Sequence, residues 1–296
     1  VASCKMRAAF VFVALFAAVW ALPQAGQSSK INWEDFPMRR MSVDGNGVVD
    51  DSSYNPGVGP RIINGREVEP NSIPSQVWLI FRLFPGSGGW TCGGTLITKR
   101  FVLTAAHCNA GAGLVEVYIG AHDISVEEPG RIILVATRLI NHPDYDSGTI
   151  SQDIGLIDLE QEVELSNFVD VIKLPGRKYV GELFEDANSR VSGWGLTVGG
   201  GSRSNVLLAV NSTVLPNPNC RAVFNIFREN EICTSGAGGV GACNGDSGGP
   251  LVHGNLQIGI VSYGRAGCPP GFPTVFVRVT SFLDWIEENS DYVIQD

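Results

Sequence analysis

The sequence lacks an excess of positive charge and has no long basic run. Its 296 residues include 21 Lys and Arg against 30 Asp and Glu, which gives a formal net charge of −9 at pH 7. Nucleic acids and anionic membrane surfaces attract basic proteins, so this balance argues against both as general partners. No heptad pattern and no internal repeat of solenoid length is visible, which leaves an ordinary globular composition with 44% apolar and 17% charged residues.

A hydrophobic run long enough to cross a membrane is also missing. The longest apolar stretch, Ala8–Leu22, is shorter than the ~20 residues that a membrane-spanning helix needs. Lys5 and Arg7 flank it, and small residues and a proline follow it, as is typical of a secretory signal peptide. We therefore expect residues 1–25 to be a signal peptide, cleaved after Ala21 or Ala25, and the protein to be secreted and extracellular. The alternative, a buried core helix, conflicts with the absence of a polar face.

The number of cysteines is seven, which is odd for a secreted chain. The first methionine is Met6, and residues 1–5 can be read as untranslated sequence, in which case Cys4 does not belong to the protein. Six cysteines in an oxidising compartment most simply form three disulfides, although spacing alone does not choose the pairs. No CxxC or HxxxH pair is present, so we expect no metal site and no cofactor.

Two segments of different texture follow the signal peptide. Residues 26–61 contain no cysteine and no sustained periodicity, and we interpret them as an activation pro-segment. Residues 62–296 contain eleven short runs rich in Val, Ile, Leu and Thr, separated by Gly, Pro, Asn and Asp, which predicts an all-β fold. Near the end, Ser281–Ser290 has the spacing of a helix with Ser281 as N-cap and an apolar face of Phe282, Leu283, Trp285 and Ile286.

The stretch GDSGGP around Ser247 would, by itself, be interpreted as a surface turn. However, TAAHC places His107 directly after a predicted strand, and DIGLI places Asp153 at the start of another. A serine becomes a useful nucleophile when a histidine takes its proton and a carboxylate orients that histidine. The chain supplies these three groups in the order His107, Asp153, Ser247, which makes Ser247 a candidate nucleophile.

TAAHC, DIGLI and GDSGGP, together with IING, GWG and SYG, resemble the motifs of the chymotrypsin family of serine endopeptidases. The resemblance extends from Ile62 to the end of the chain. It implies two packed six-stranded antiparallel β-barrels with a C-terminal helix, and catalytic residues in the cleft between the barrels. It further implies that the N–H groups of Gly245 and Ser247 form the oxyanion hole, that Ser262 bonds Asp153, and that Ser262 and Gly264 pair with the substrate backbone.

The resemblance also implies how the protein is activated and cross-linked. Cleavage after Arg61 by a trypsin-like protease would free the amino group of Ile62 to pair with Asp246. The implied disulfides are Cys92–Cys108, Cys220–Cys233 and Cys243–Cys268. The implied partners are protein or peptide substrates, the activating protease and proteinaceous serine protease inhibitors.

Specificity in this family depends on a pocket whose base, entrance and rear wall correspond here to Gly241, Gly264 and Thr274. Without a charge at the base, we expect cleavage after bulky apolar residues, as in invertebrate chymotrypsins and brachyurin-like collagenolytic enzymes. An elastase-like preference is the alternative, because Thr274 narrows the rear. A catalytically inactive, secreted binding protein of the same fold is a further alternative.

Some positions depart from the family pattern. Relatives bind calcium through two glutamates at positions that are Ala121 and Arg131 here, so we expect no calcium site and we expect Glu127 and Glu128 to be solvated. Asp158 is expected on the solvated face of its strand. Asn211-Ser212-Thr213 predicts an N-glycosylation site at Asn211.

Overall fold

The computed structural model describes residues 42–43, 62, 65–197 and 199–296. The predicted signal peptide and almost all of the predicted pro-segment lie outside the described residues. The fold is mostly β with few helices. The strands are β1 Ser42–Val43, β2 Arg66–Glu67, β3 Gln76–Arg82, β4 Gly89–Leu96, β5 Phe101–Thr104, β6 Leu114–Ile119, β7 Ile132–Ala136, β8 Arg138–Asn141, β9 Gly155–Asp158, β10 Asn188–Gly193, β11 Leu208–Thr213, β12 Glu231–Thr234, β13 Pro250–His253, β14 Leu256–Arg265 and β15 Thr274–Arg278. The helices are α1 Ala106–Asn109, α2 Asn217–Val223 and α3 Leu283–Asn289.

The first sheet is antiparallel and has the order β7-β6-β3-β4-β5-β9-β8. It has seven strands because β7 and β8 are separated at Thr137, where the sequence predicts one continuous strand. Residues on its inner face, such as Val77, Leu79 and Val117, are fully buried in the largest apolar cluster. Burial of this face is what holds the curled sheet together.

The second sheet has the order β12-β15-β14-β13-β10-β11-β2, and its strands pair antiparallel along this path. Its seventh strand is the two-residue β2, so six longer strands remain. Strand β1 adds to it in parallel, with Ser42 opposite Gly264 and Val43 opposite Arg265. Two curled antiparallel sheets with a C-terminal helix confirm the predicted fold class.

All eleven predicted runs contain a strand, but the sequence analysis missed the short strands β1, β2 and β12 and the helices α1 and α2. Helix α3 was placed correctly in its apolar face, because Phe282, Leu283 and Ile286 are buried against the first sheet's core. Its predicted start was wrong: the helix begins at Leu283, and Ser281 lies in the preceding 3₁₀ turn and makes no capping bond. Among the described residues, no helix is both long and apolar enough to traverse a bilayer.

Asp158 corrects a second expectation. Its side chain is 0% exposed, because β9 is an interior strand between β5 and β8 and both of its faces are covered. Arg100 donates to both of its carboxylate oxygens, at 2.6 and 2.8 Å, and Arg138 on β8 donates to one of them at 2.8 Å. The hydrogen bonds from Arg100 keep the pKa of this carboxyl below its usual value.

Candidate active site

The first sheet brings His107 and Asp153 together. His107 lies in the single-turn helix α1 just after β5, and Asp153 lies just before β9. Because β5 and β9 pair with Thr104 opposite Gly155, the segment that follows one strand lies beside the segment that precedes the other. His107 Nδ1 is 2.7 Å from Asp153 Oδ2, and the backbone N–H of His107 donates to Asp153 Oδ1 at 2.8 Å.

The second sheet supplies a further donor to the same carboxylate. Ser262 Oγ on β14 donates to Asp153 Oδ2 at 2.6 Å. The side chains of His107 and Asp153 are each 1% exposed, so these bonds form away from water. A carboxylate only accepts hydrogen bonds, so it favours the tautomer in which His107 Nδ1 carries the proton and Nε2 is an acceptor.

Ser247 lies on the loop before β13, and this loop packs against the segment that carries His107. The backbone N–H of Gly93 donates to the carbonyl of Ser247 at 2.7 Å. A methyl group built on Gly248, where φ is +76°, would lie 2.6 Å from the carbonyl oxygen of Gly93 and 3.1 Å from the nitrogen of Ala105. Only glycine allows this approach, which explains why a glycine follows the serine.

Asp246 is completely buried beside Ser247. Its carboxylate accepts the backbone N–H groups of Gly195 at 2.8 Å and Cys243 at 3.0 Å. Desolvation raises the pKa of Asp246 to about 6, although these bonds and the charge of Arg203 act in the opposite direction. Burial lowers the pKa of Arg203 to about 10, so both members of this pair are poorly solvated.

The glycine before Asp246 has a backbone conformation that L side chains rarely adopt. Gly245 has a φ of +98°, and a Cβ there would lie 3.0 Å from Gly195 Cα and 3.5 Å from Arg203 Nε. The loop therefore turns tightly at Gly245, between a buried aspartate and the GWG segment.

A pocket opens beside Ser247, and it contains all three of the predicted specificity residues. Gly241 and Thr274 face each other across it, because a Cβ built on Gly241 would lie 2.9 Å from Thr274 Oγ1. Ser262 and Gly264 line the same pocket, as do both cysteines of the Cys243–Cys268 disulfide. Among the described residues that line it, none is acidic.

The described residues contain three disulfides. They are Cys92–Cys108, Cys220–Cys233 and Cys243–Cys268, the same pairs that the resemblance implies. The first joins β4 to the helix that carries His107, and the third braces the pocket. These two disulfides therefore hold segments of the site.

Comparison with known proteins identifies the family. The model of the family described as trypsin matches residues 62–286. The chain belongs to the trypsin family.

Named relatives agree with this assignment. "Chymotrypsin" of Phaedon cochleariae is 41% identical over 290 residues, which cover 98% of this chain and 100% of that protein. "Brachyurin" of Leptuca pugilator is 40% identical over 229 residues, covering 76% and 97%. A solved structure named HL collagenase superposes with a TM-score of 0.72 at 33% identity, over 78% of this chain and all of that one. This trypsin-family chain is a serine endopeptidase, and its substrates are peptides or proteins.

Sequence reasoning missed one pair of residues at the pocket of this trypsin-family domain. Arg265 and Phe272 both line the pocket, and the guanidinium carbon of Arg265 lies 4.3 Å from the centroid of the Phe272 ring. A signal was available, since Arg265 directly follows SYG. The partner ring could not have been inferred, because it comes from the loop before β15.

The remaining predicted positions lie outside the pocket lining. Asn211 is exposed on β11. Arg131 forms an ion pair with Glu128 at 3.6 Å, and Glu128 accepts the backbone N–H groups of His122 and Asp123, both at 2.8 Å. Glu128 is therefore half-buried and bonded, rather than solvated as expected, whereas Glu127 is exposed as expected.

Proposed function

We propose that the protein is a secreted zymogen of an endopeptidase that cuts after bulky apolar residues and is activated by cleavage after Arg61. The observation that carries this specificity is the pocket between Gly241 and Thr274, whose described lining residues include no acid. The roles assigned to single residues below are part of the proposal.

Ser247 Oγ attacks the carbonyl carbon of the scissile bond while His107 Nε2 takes its proton. The backbone N–H groups of Gly245 and Ser247 stabilise the oxyanion that forms. His107 then gives the proton to the leaving amine, the C–N bond breaks, and water repeats the sequence on the acyl-enzyme. The bonds of Asp153 to His107 and Ser262 support this mechanism, because they hold the imidazole in the tautomer that accepts a proton at Nε2.

The chemistry of the pocket favours apolar over basic residues at P1, the residue before the cut. A lysine or arginine buried against Thr274 would have no carboxylate partner, which costs several kcal/mol. A Phe or Leu would instead gain roughly 1.5–3 kcal/mol from burial. Thr274 also shortens the pocket, so Leu should rival Phe and Trp should be disfavoured.

Latency before cleavage follows from the state of Asp246. Burial raises the pKa of this carboxylate in the uncut chain, and the N-terminal ammonium that cleavage would supply could offset that desolvation. Ile62, whose amino group the cleavage would free, is fully buried in the uncut chain. Strand β1 also pairs with Gly264 and Arg265, on the edge that we assign to the substrate.

The same specificity implies a separate activator. A pocket that rejects arginine cannot process the bond after Arg61, so a trypsin-like protease must do so. The pro-segment, residues 26–61, contains no cysteine and would leave after cleavage. The exposure of Asn211 supports its use as a glycosylation site in a secreted chain.

Hydrolysis of matched peptide anilides with Phe, Leu, Ala or Arg at P1 tests the proposal. After trypsin cleavage and removal of trypsin, Phe and Leu should exceed Arg in kcat/KM by at least ~100-fold. Ser247→Ala is the control for contaminating protease. Best activity on Arg would overturn the assignment of the pocket, and best activity on Ala would favour the elastase alternative.

Two further measurements sharpen the test. Thr274→Gly should move the P1 profile toward Tyr and Trp, because it removes the wall that faces Gly241. A fluorophosphonate should label Ser247 quickly in the cleaved protein. A cleaved protein that resists labelling would instead support a non-catalytic binding role.

A further inference from the structure

We infer that Arg265 selects substrates with an acidic side chain at P3 or P4, two or three residues before P1. The inference rests on the proposed function, because it takes the edge of β14 as the place where the substrate backbone binds. It concerns a different part of the substrate from the one that enters the pocket.

The edge of β14 is available to an extended chain at this point. The pairing of β14 with β13 ends at Ile260, so β13 leaves residues 262–265 without a partner on that side. Strand β1 shows that this edge accepts a strand, since Ser42 pairs with Gly264 and Val43 with Arg265. Strand β1 pairs in parallel, but a substrate would have to run antiparallel to β14. With its P1 residue beside Ser262, such a substrate reaches Gly264 and Arg265 with the residues two or three positions earlier.

The charge of Arg265 stands alone at the pocket. It is the sole charged side chain among the described residues of the lining, and it is exposed to solvent. Its guanidinium lies over the ring of Phe272 at 4.3 Å, which restricts the side chain and leaves its edge N–H groups free to meet a carboxylate. The guanidinium of Arg265 is therefore held in one place at the pocket rather than moving freely in solvent.

The charge of the whole protein would have the opposite effect. A net charge of −9 repels acidic peptides and attracts basic ones. A preference for acidic residues would therefore have to come from a local group. A measured preference for acidic peptides could therefore not be attributed to long-range attraction by the net charge of the protein.

The test uses the cleaved enzyme and matched anilides with Phe at P1 and Glu, Gln or Lys at P3 or at P4. At low ionic strength, we expect Glu to exceed Gln about threefold and Lys about tenfold in kcat/KM at one of these positions, as befits an exposed ion pair. At about 0.5 M salt both ratios should approach one.

Two variants locate the effect. Arg265→Gln should abolish the Glu-to-Gln ratio, and Arg265→Lys should retain part of it without the planar stack. Arg190→Gln removes one exposed arginine on β10, outside the pocket lining, and should leave the ratio unchanged. Equal ratios in the wild type and in Arg265→Gln would overturn the inference.

The outcomes separate this inference from the proposed function. If the Phe anilides with Gln at P3 and P4 are not cleaved, the proposed specificity fails. If they are cleaved well but Glu, Gln and Lys give equal rates, the specificity stands and the role of Arg265 is wrong.

Discussion

Two aspartates in this molecule show how the surroundings of a side chain decide its charge. Asp158 and Asp246 are both 0% exposed. Asp158 receives three hydrogen bonds from Arg100 and Arg138, and its pKa is lowered. Asp246 receives two backbone N–H bonds and lies near only a partly desolvated arginine, and its pKa is raised to about 6. Desolvation dominates at Asp246, whereas the hydrogen bonds from Arg100 dominate at Asp158.

This contrast predicts an unusual pH dependence for the uncut protein. The carboxyl of Asp246 keeps its proton to about pH 6 in the fold, against an ordinary value of 3.8. Because the native state then binds more protons than the unfolded state, the free energy of unfolding should fall by about 2 kcal/mol as pH rises from 4 to 7. Asp246→Asn cannot ionise and should lack this decline.

Urea unfolding of the uncut protein at pH 4 and pH 7 measures the effect as a difference between variants. The exposed Asp144→Asn is the matched control and should retain the decline. An equal decline in Asp246→Asn would show that another group is responsible. After cleavage the same substitution should abolish most activity, because the ammonium of Ile62 would lose its counter-charge, at a cost of about 3–5 kcal/mol.

At the scale of elements, an ion pair and hydrogen bonds hold the loop between β6 and β7. Glu128 holds the loop by accepting two backbone N–H groups, and Arg131 neutralises it. The guanidinium of Arg131 also donates to the carbonyl of Asp123 at 3.3 Å and lies 5.9 Å from the ring centroid of Tyr118. The cation that neutralises Glu128 in this loop is therefore the side chain of Arg131.

We predict that calcium does not stabilise this protein. Thermal midpoints of the wild type in millimolar calcium and in EDTA should agree, because Ala121 offers no ligand and Arg131 repels a cation. The double variant with Ala121→Glu and Arg131→Glu restores both carboxylates and should gain a calcium-dependent rise in midpoint. A rise of several degrees in the wild type would contradict the prediction.

Most strands were predictable from sequence because each is a short apolar run bounded by turn residues. The exceptions have specific causes. Strand β12 reads EICT and begins with a glutamate, so it does not look like an apolar run. Glu231 is nevertheless buried, and Tyr263 and Arg228 donate hydrogen bonds to its carboxylate. The start of α3 was misplaced because Ser281 belongs to a 3₁₀ turn before the helix and does not cap it. The exposure of Asp158 was wrongly predicted because alternation along a strand shows which face a side chain is on, but not whether other parts of the protein cover that face.

At the scale of the whole molecule, the site assembles from stretches far apart in the sequence. His107 and Asp153 come from the first sheet, and Ser262 and Ser247 come from β14 and the loop before β13 of the second. Their identity was predictable, because the motifs are local. The stack of Arg265 on Phe272 and the approach of Arg203 to Asp246 were not, because only the folded chain brings those side chains together.

The last prediction concerns activation of the whole chain. We expect the uncut protein to be inactive and trypsin to generate activity with Ile62 as the new N-terminus, because the freed ammonium would pair with the poorly solvated carboxylate of Asp246 and order the loop that carries Gly245 and Ser247. Arg61→Gln should stay inactive under the same treatment, and cleaved Ser247→Ala should show the Ile62 terminus without activity. N-terminal sequencing and hydrolysis of a Phe anilide measure both parts. The purified active enzyme, added to the uncut protein, should not replace trypsin, since its pocket lacks a partner for Arg61. Full activity of uncut Arg61→Gln would contradict the proposal that the chain is a zymogen. Rapid self-activation of the wild type would contradict the proposed preference for apolar residues at P1.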